Sequence, residues 1–175
     1  INKYMSVLTQ IFFLYTCRAN KLLVDFIIEV YYKKVNSGSY GLKASDPKDF
    51  IKNTISDGRI VDSWSESTII RVSRHIIATL IDFELIQKNK TILNFHIIDL
   101  SANYLAHELH FRGISDNNLW QHEDWKLFGL MPNDVISIFE RLANQGTFIM
   151  QFSGELLSIS WKNKSMNEFI KNECR

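Results

Sequence analysis

Glycine, proline and cysteine are all scarce in this chain. Seven glycines and two prolines in 175 residues leave too few turn formers for a turn-dense sandwich or barrel, a collagen-like repeat or a Pro/Gly-rich linker. That deficit favours helices. Two cysteines, Cys17 and Cys174, cannot build a disulfide framework, and their number fits a reducing compartment. Long apolar runs are lacking as well. The most apolar stretches, residues 11–15 and 22–32, are short, and Asp25 and Glu29 interrupt the second, so no segment is expected to span a membrane. No signal-type n-region opens the chain, and its first residue is Ile rather than Met, from which the natural N-terminus is expected to lie upstream. Catalytic motifs are missing too. There is no Gly-rich phosphate loop with Lys-Ser/Thr, no Gly-x-Ser-x-Gly elbow and no Asp/Glu-x-Lys core on a predicted strand, so neither an enzyme nor a cofactor is expected.

What the chain does have is apolar surface. Hydrophobic residues make up 46%, including 12 Phe and 4 Trp, enough to bury the core of one ordinary domain or of two small helical modules. Trp64, Trp120, Trp125 and Trp161 are spread over different elements, which suits packing between elements better than base stacking. Lys and Arg (20) nearly balance Asp and Glu (19), so the net charge alone pulls the molecule onto neither nucleic acid nor an anionic surface. The distribution is uneven: residues 1–45 carry six basic and two acidic groups, residues 46–125 eight and twelve, and residues 126–175 six and five.

Apolar spacings of three and four predict helices over 4–16 and 21–34, followed by the loop 36–41. Ser45-Asp46-Pro47 opens a short helix that Gly58 stops, and Ser63-Trp64-Ser65-Glu66 has capping-box spacing ahead of a long helix reaching about Glu84. Residues 85–87 and 91–95 read as a β-hairpin with Lys88-Asn89-Lys90 at its tip. Helices over 101–112, 118–127 and from Pro132 to about Gly146 follow, then a hairpin of 147–152 and 155–161 around Ser153-Gly154. Helices followed by a hairpin occur twice. The expected fold is therefore mainly α, with two winged-helix or helix-turn-helix-like units and short β-hairpins, divided into 1–43, 44–100 and 101–175.

The long helix is the sharpest chemical feature. Its apolar stripe is Ile69, Val72, Ile76, Leu80 and Phe83, and at 100° per residue Ser67, Arg71, Arg74, Ala78 and Asp82 share the opposite face. A DNA recognition helix needs small polar residues near its N-terminus and arginines a turn or two later, for phosphate or for guanine. Ser65, Ser67, Thr68, Arg71 and Arg74 meet that pattern, with Lys88 and Lys90 placed to reach the adjacent backbone. A capped helix with a solvated Arg face, common in any helical protein, meets it equally. His107, His110 and His122, with Glu108 and Glu123, form a histidine group, but the spacing is not that of a zinc peptidase and the cysteines are far off in sequence. Structural or surface histidines are the simpler reading, and no metal is assigned.

Taken in order, Trp64-Ser65-Glu66-Ser67-Thr68, Arg71, Thr79-Leu80-Ile81-Asp82-Phe83, His107-Glu108-Leu109, Arg112-Gly113-Ile114-Ser115 and Asp124-Trp125-Lys126-Leu127-Phe128-Gly129-Leu130 resemble BrxA, a family of small core proteins of bacteriophage-exclusion (BREX) defence systems. The resemblance covers nearly the whole chain. It implies a mostly helical, cytoplasmic, non-enzymatic protein that binds double-stranded DNA through helix-turn-helix elements and works beside a methyltransferase, an ATPase and other defence subunits. In the matching helix it implies DNA roles for Ser67, Thr68, Arg71 and Arg74. Two other functions remain open on the residues. In the first, the helices dock an acidic protein partner as a scaffold; in the second, His107, His110 and His122 serve a metal-dependent nuclease subunit.

Overall fold

The computed structural model describes residues 3–173, so Cys174 lies outside the described residues. Among the described residues the chain is mainly helical, with one two-stranded antiparallel sheet. It falls into two compact units, Phe12–His96 and Ile1–Ile11 with Ile97–Arg175. Residues 12–43 thus belong with 44–96 and residues 1–11 with the C-terminal half, whereas the sequence-based division falls at 43/44 and 100/101.

Helix α1 (Lys3–Arg18) contributes to both units. In Phe12–His96, Asn20 caps α2 (Lys21–Phe26) by accepting from the Leu23 N–H at 3.1 Å. The helix then passes through one wide π turn, Ile27–Tyr31, into α3 (Tyr32–Asn36). That turn buries Ile27 and Tyr31, and the Tyr31 hydroxyl donates to the Leu85 carbonyl at 3.1 Å. Burial pushes the Tyr31 phenol up to about 12. Helix α4 (Asp46–Ser56) has Pro47 in its first turn, with the Asp46 carboxylate accepting from the Lys43 N–H at 2.7 Å, and buries Phe50, Ile51 and Thr54. Helix α5 (Glu66–Asp82) buries Ile69, Ser73, Ile76 and Leu80. Aromatic edges complete this core: Phe26 meets Phe50 at 5.4 Å, and Phe13 meets Phe83 and Phe95 at 5.5 and 5.3 Å.

Two expectations change here. The N-cap of α5 is Ser65, not Ser63: its Oγ accepts from the Thr68 N–H at 3.2 Å, while Glu66 in the first turn pairs with Lys48 and with Lys52. The hairpin over 85–95 is reduced to single bridges. Ile86 pairs antiparallel with Ile92, and Thr91 pairs on its other side with Gly41, a partner that the loop-like composition of 36–41 conceals. The turn between them closes by Lys90 N–H to the Gln87 carbonyl at 2.7 Å, with Lys90 at φ 68°. Gly41 admits this ribbon because a Cβ there would lie 2.6 Å from the Lys90 carbonyl oxygen.

In the other unit, α6 (Asp99–Phe111) is followed by α7 (Asp116–Leu119), a 3₁₀ turn (Glu123–Phe128), α8 (Pro132–Asn144), strands β1 (Phe148–Ser153) and β2 (Leu156–Trp161), and α9 (Met166–Glu173). The single helix expected over 118–127 is broken in two, because His122 adopts extended backbone and its Nδ1 accepts from the Asp124 N–H, opening a new turn. Strands β1 and β2 pair from Phe148 with Trp161 to Ser153 with Leu156, and Gly154 at φ 71° makes the tight turn. Side chains of α7 cover the free edge of β2: Asn117 accepts from the Leu157 N–H and Asp116 from the Ile159 N–H, each at 2.8 Å.

Gly41→Ala is expected to cost about 1–3 kcal/mol of unfolding free energy, because a new methyl group is forced against backbone that has no rotamer to yield. Urea titration followed by circular dichroism measures this, and a cost below about 0.3 kcal/mol would contradict the ribbon geometry.

Candidate nucleic-acid interface

Helix α5 sorts its residues by angle as an amphipathic helix must, with Ile69, Ile76 and Leu80 inward and Ser67, Arg71, Arg74, Ala78 and Asp82 all exposed. At its N-terminus the hydroxyls gather around the cap: Ser65 Oγ lies 2.9 Å from Ser67 Oγ and 3.0 Å from Thr68 Oγ1. Two ammonium groups, Lys48 and Lys52, share the one carboxylate of Glu66. Its carboxyl group is held below the usual range chiefly by the hydrogen bond from Lys48.

Arg71 and Arg74 make no ion pair among the described residues, and neither do Lys88 and Lys90. Arg74 and Lys90 line one cavity of about 410 Å³ together with Lys48, so α4, α5 and the ribbon turn bring these three cations around a common space. Arg71 and Ser67 lie on the outer side of α5, and Lys88 is exposed at the turn.

Several other basic groups of this unit are engaged. Lys21 pairs with Asp25 at 3.4 Å, Lys34 with Asp46 at 3.0 Å, and Arg18 lies over the Tyr15 ring at 5.2 Å. Arg59 spans Glu29 and Asp57, which raises its guanidinium pKa, and it also covers the Phe50 ring. In the second unit α8 presents an exposed face too, but its arginine, Arg141, is held by Asp99 at 2.6 Å and Glu140 adds negative charge. Unpaired arginines on an exposed helix face are therefore a feature of α5 and not of α8.

The three histidines do not converge. His107 is fully buried, stacked on Phe169 at 4.2 Å and edge-on to Trp161 at 4.7 Å. Both its ring nitrogens are engaged, Nδ1 with the Asn103 carbonyl at 3.0 Å and Nε2 with Asn163 Nδ2 at 3.4 Å. The neutral ring satisfies both if Nδ1 donates and Nε2 accepts. His110 stacks on Trp161 at 4.4 Å, and His122 Nδ1 lies 3.2 Å from an Asp124 carboxylate oxygen. Among the described residues no three His, Cys, Asp or Glu side chains group as metal ligands.

The BrxA family model matches residues 1–108, more than half of the chain, and that span holds α5, its cap and the ribbon turn. The chain belongs to the BrxA family, a membership that suggests a role in BREX phage defence beside other components of such systems. Neither the curated proteins nor the solved structures yield a match. Among the described residues no helix is long and apolar enough to cross a membrane.

Burial drives the His107 pKa down to about 4, so the unfolded chain binds a proton between about pH 6.5 and 4 that the folded one refuses. Stability from this site is complete above pH 6.5 and falls as the pH drops towards 4, by about 3 kcal/mol in all. His107→Gln should flatten that part of the stability profile. Denaturant midpoints at pH 7, 5.5 and 4 check it, and equal acid sensitivity in the variant would contradict it.

Proposed function

We propose that this protein is a non-enzymatic double-stranded DNA-binding component of a BREX defence system, contacting the duplex mainly through phosphates. The observation that carries the reading is the exposed face of α5: three clustered hydroxyls, Ser65, Ser67 and Thr68, followed by Arg71 and Arg74 with no carboxylate to neutralise them among the described residues. A solvated arginine face is by itself common on protein helices. One left unpaired beside small polar groups suits an anionic partner with exposed edges.

The order of elements supports a winged-helix reading of Phe12–His96. A first helix (α2 and α3), a strand-like bridge at Gly41, a second helix (α4), a third (α5) and then a ribbon whose middle segment pairs with Gly41 follow one another in winged-helix order, which supports reading α5 as the recognition helix. Lys88 and Lys90 then sit on the wing. The succession of α6, α7, α8, β1 and β2 supports a second such unit, whose helix face lacks unpaired arginines and is better suited to protein contacts with other defence subunits. The reading assigns no catalytic step and no cofactor, and places the protein in the cytoplasm, where duplex DNA is met.

Wild-type protein should bind duplexes of unrelated sequence with similar affinity and with a steep loss on raising salt, since counterion release dominates phosphate binding. Arg71→Ala with Arg74→Ala should flatten the logarithmic salt slope by about two, one for each lost contact, while stability moves by less than about 0.5 kcal/mol. Fluorescence anisotropy with labelled duplexes over a salt series decides it. Binding by the folded double variant that equals wild type would remove α5 from the interface.

A further inference from the structure

Beside its buried stripe, α5 carries a second apolar seam that neither the core nor a phosphate contact uses. Ile70, Ile77 and Ile81, with Arg74 between them, fall within an arc of about 60°. All three isoleucines are half-buried, and with Ala78 they line the cavity of about 410 Å³ whose rim carries Lys48, Arg74 and Lys90. No carboxylate belongs to that lining. The spacing i, i+7, i+11 is that of a helix presenting apolar positions to a partner helix.

An apolar seam of this length is poorly matched to duplex DNA, whose only apolar group at the groove edges is the thymine methyl. It is matched to aliphatic side chains on an amphipathic helix. The rim selects the charge of that helix: Arg74 and Lys90 are unpaired among the described residues, and Lys48 shares Glu66 with Lys52, so the surroundings of the seam are net positive. We propose that this groove docks an acidic amphipathic helix of a partner protein, with aliphatic anchors on Ile70, Ile77 and Ile81 and its carboxylates on Arg74 and Lys90. Arg74 also belongs to the exposed face assigned to phosphates, so the partner helix and the duplex exclude one another. The docking goes beyond the DNA reading; the exclusion rests on it.

The test uses the full chain and a fluorophore-labelled synthetic peptide, helical, with leucines on one face and glutamates elsewhere. A control peptide carries lysines in place of the glutamates. The acidic peptide should bind saturably and at least about tenfold more tightly than the control, and excess duplex should displace it. Ile77→Ser should weaken peptide binding about tenfold while leaving duplex affinity within about twofold. Lys90→Gln, which touches no core position, should weaken it about threefold even if Ile77→Ser proves unstable.

Equal binding of the two peptides, or acidic-peptide binding unmoved by both variants, would overturn the docking proposal. Simultaneous binding of peptide and duplex would overturn the exclusion. Peptide binding by a protein that ignores duplex would retain the groove and sink the DNA reading, and duplex binding without peptide binding would do the reverse.

Discussion

Helix α5 has to bury Ile69, Ile76 and Leu80, and that demand fixes where everything else on it points. Each of these residues is 5% exposed or less, and together with the hydrogen-bonded Ser73 they hold the rotation of the helix about its axis. At 3.6 residues per turn no other rotation keeps all of them from water. Ser67, Arg71 and Arg74 are turned outward as a result, and Ile70, Ile77 and Ile81 are left at the border. The exposed face is a consequence of the core and needs no separate stabilisation. That is why substitutions on it separate binding from folding.

Local pairing then decides which cations are available. The whole chain is almost neutral, so a partner is selected by charges that internal carboxylates leave alone. Arg59 and Arg141 serve as ties between segments: the first gathers Asp57 and Glu29, the second joins α8 to Asp99 at the start of α6. Such exposed pairs add little to stability, but they do remove those guanidinium groups from the set that can meet an external anion. Arg71 and Arg74 on the outer face of α5, and Lys88 and Lys90 on the ribbon that follows it, are among the cations that no ion pair holds among the described residues.

Much of this was legible in the sequence because it follows from periodicity and punctuation. The amphipathic pattern of α5, Pro47 and Pro132 in first helical turns, and Gly154 in the hairpin turn all act locally. What was not legible depends on partners distant in sequence. The bridge from Gly41 to Thr91 joins a segment whose composition reads as loop, and only the close approach of Lys90 shows why glycine stands there. His107 looked like a possible ligand beside His110, and became a core residue through Phe169 and Trp161, which lie more than fifty positions away. Helix α9 did carry a signal. Ser165 and Glu168 have capping-box spacing, and in the structure Ser165 Oγ accepts from the Glu168 N–H while Glu168 accepts from the Lys164 N–H at 2.7 Å.

The burial of His107 shows what such long-range contacts cost and why they persist. Taking an imidazole out of water is tolerable only for the neutral ring with both nitrogens bonded, and Asn103 and Asn163 supply those bonds while Asn172 of α9 steadies Asn163 at 2.8 Å. The ring thereby joins α6, the segment after β2 and α9 through one polar chain inside an aromatic cluster. A phenylalanine would pack there too, but it would leave the Asn163 amide without its partner, at a cost of about 1–3 kcal/mol for that buried group, while the Asn103 carbonyl would keep its bond within α6. A histidine that resembled a metal ligand by spacing is thus explained by hydrogen-bond satisfaction, whereas the arginines of α5, equally ambiguous by spacing, have no ion-pair partner among the described residues to explain them.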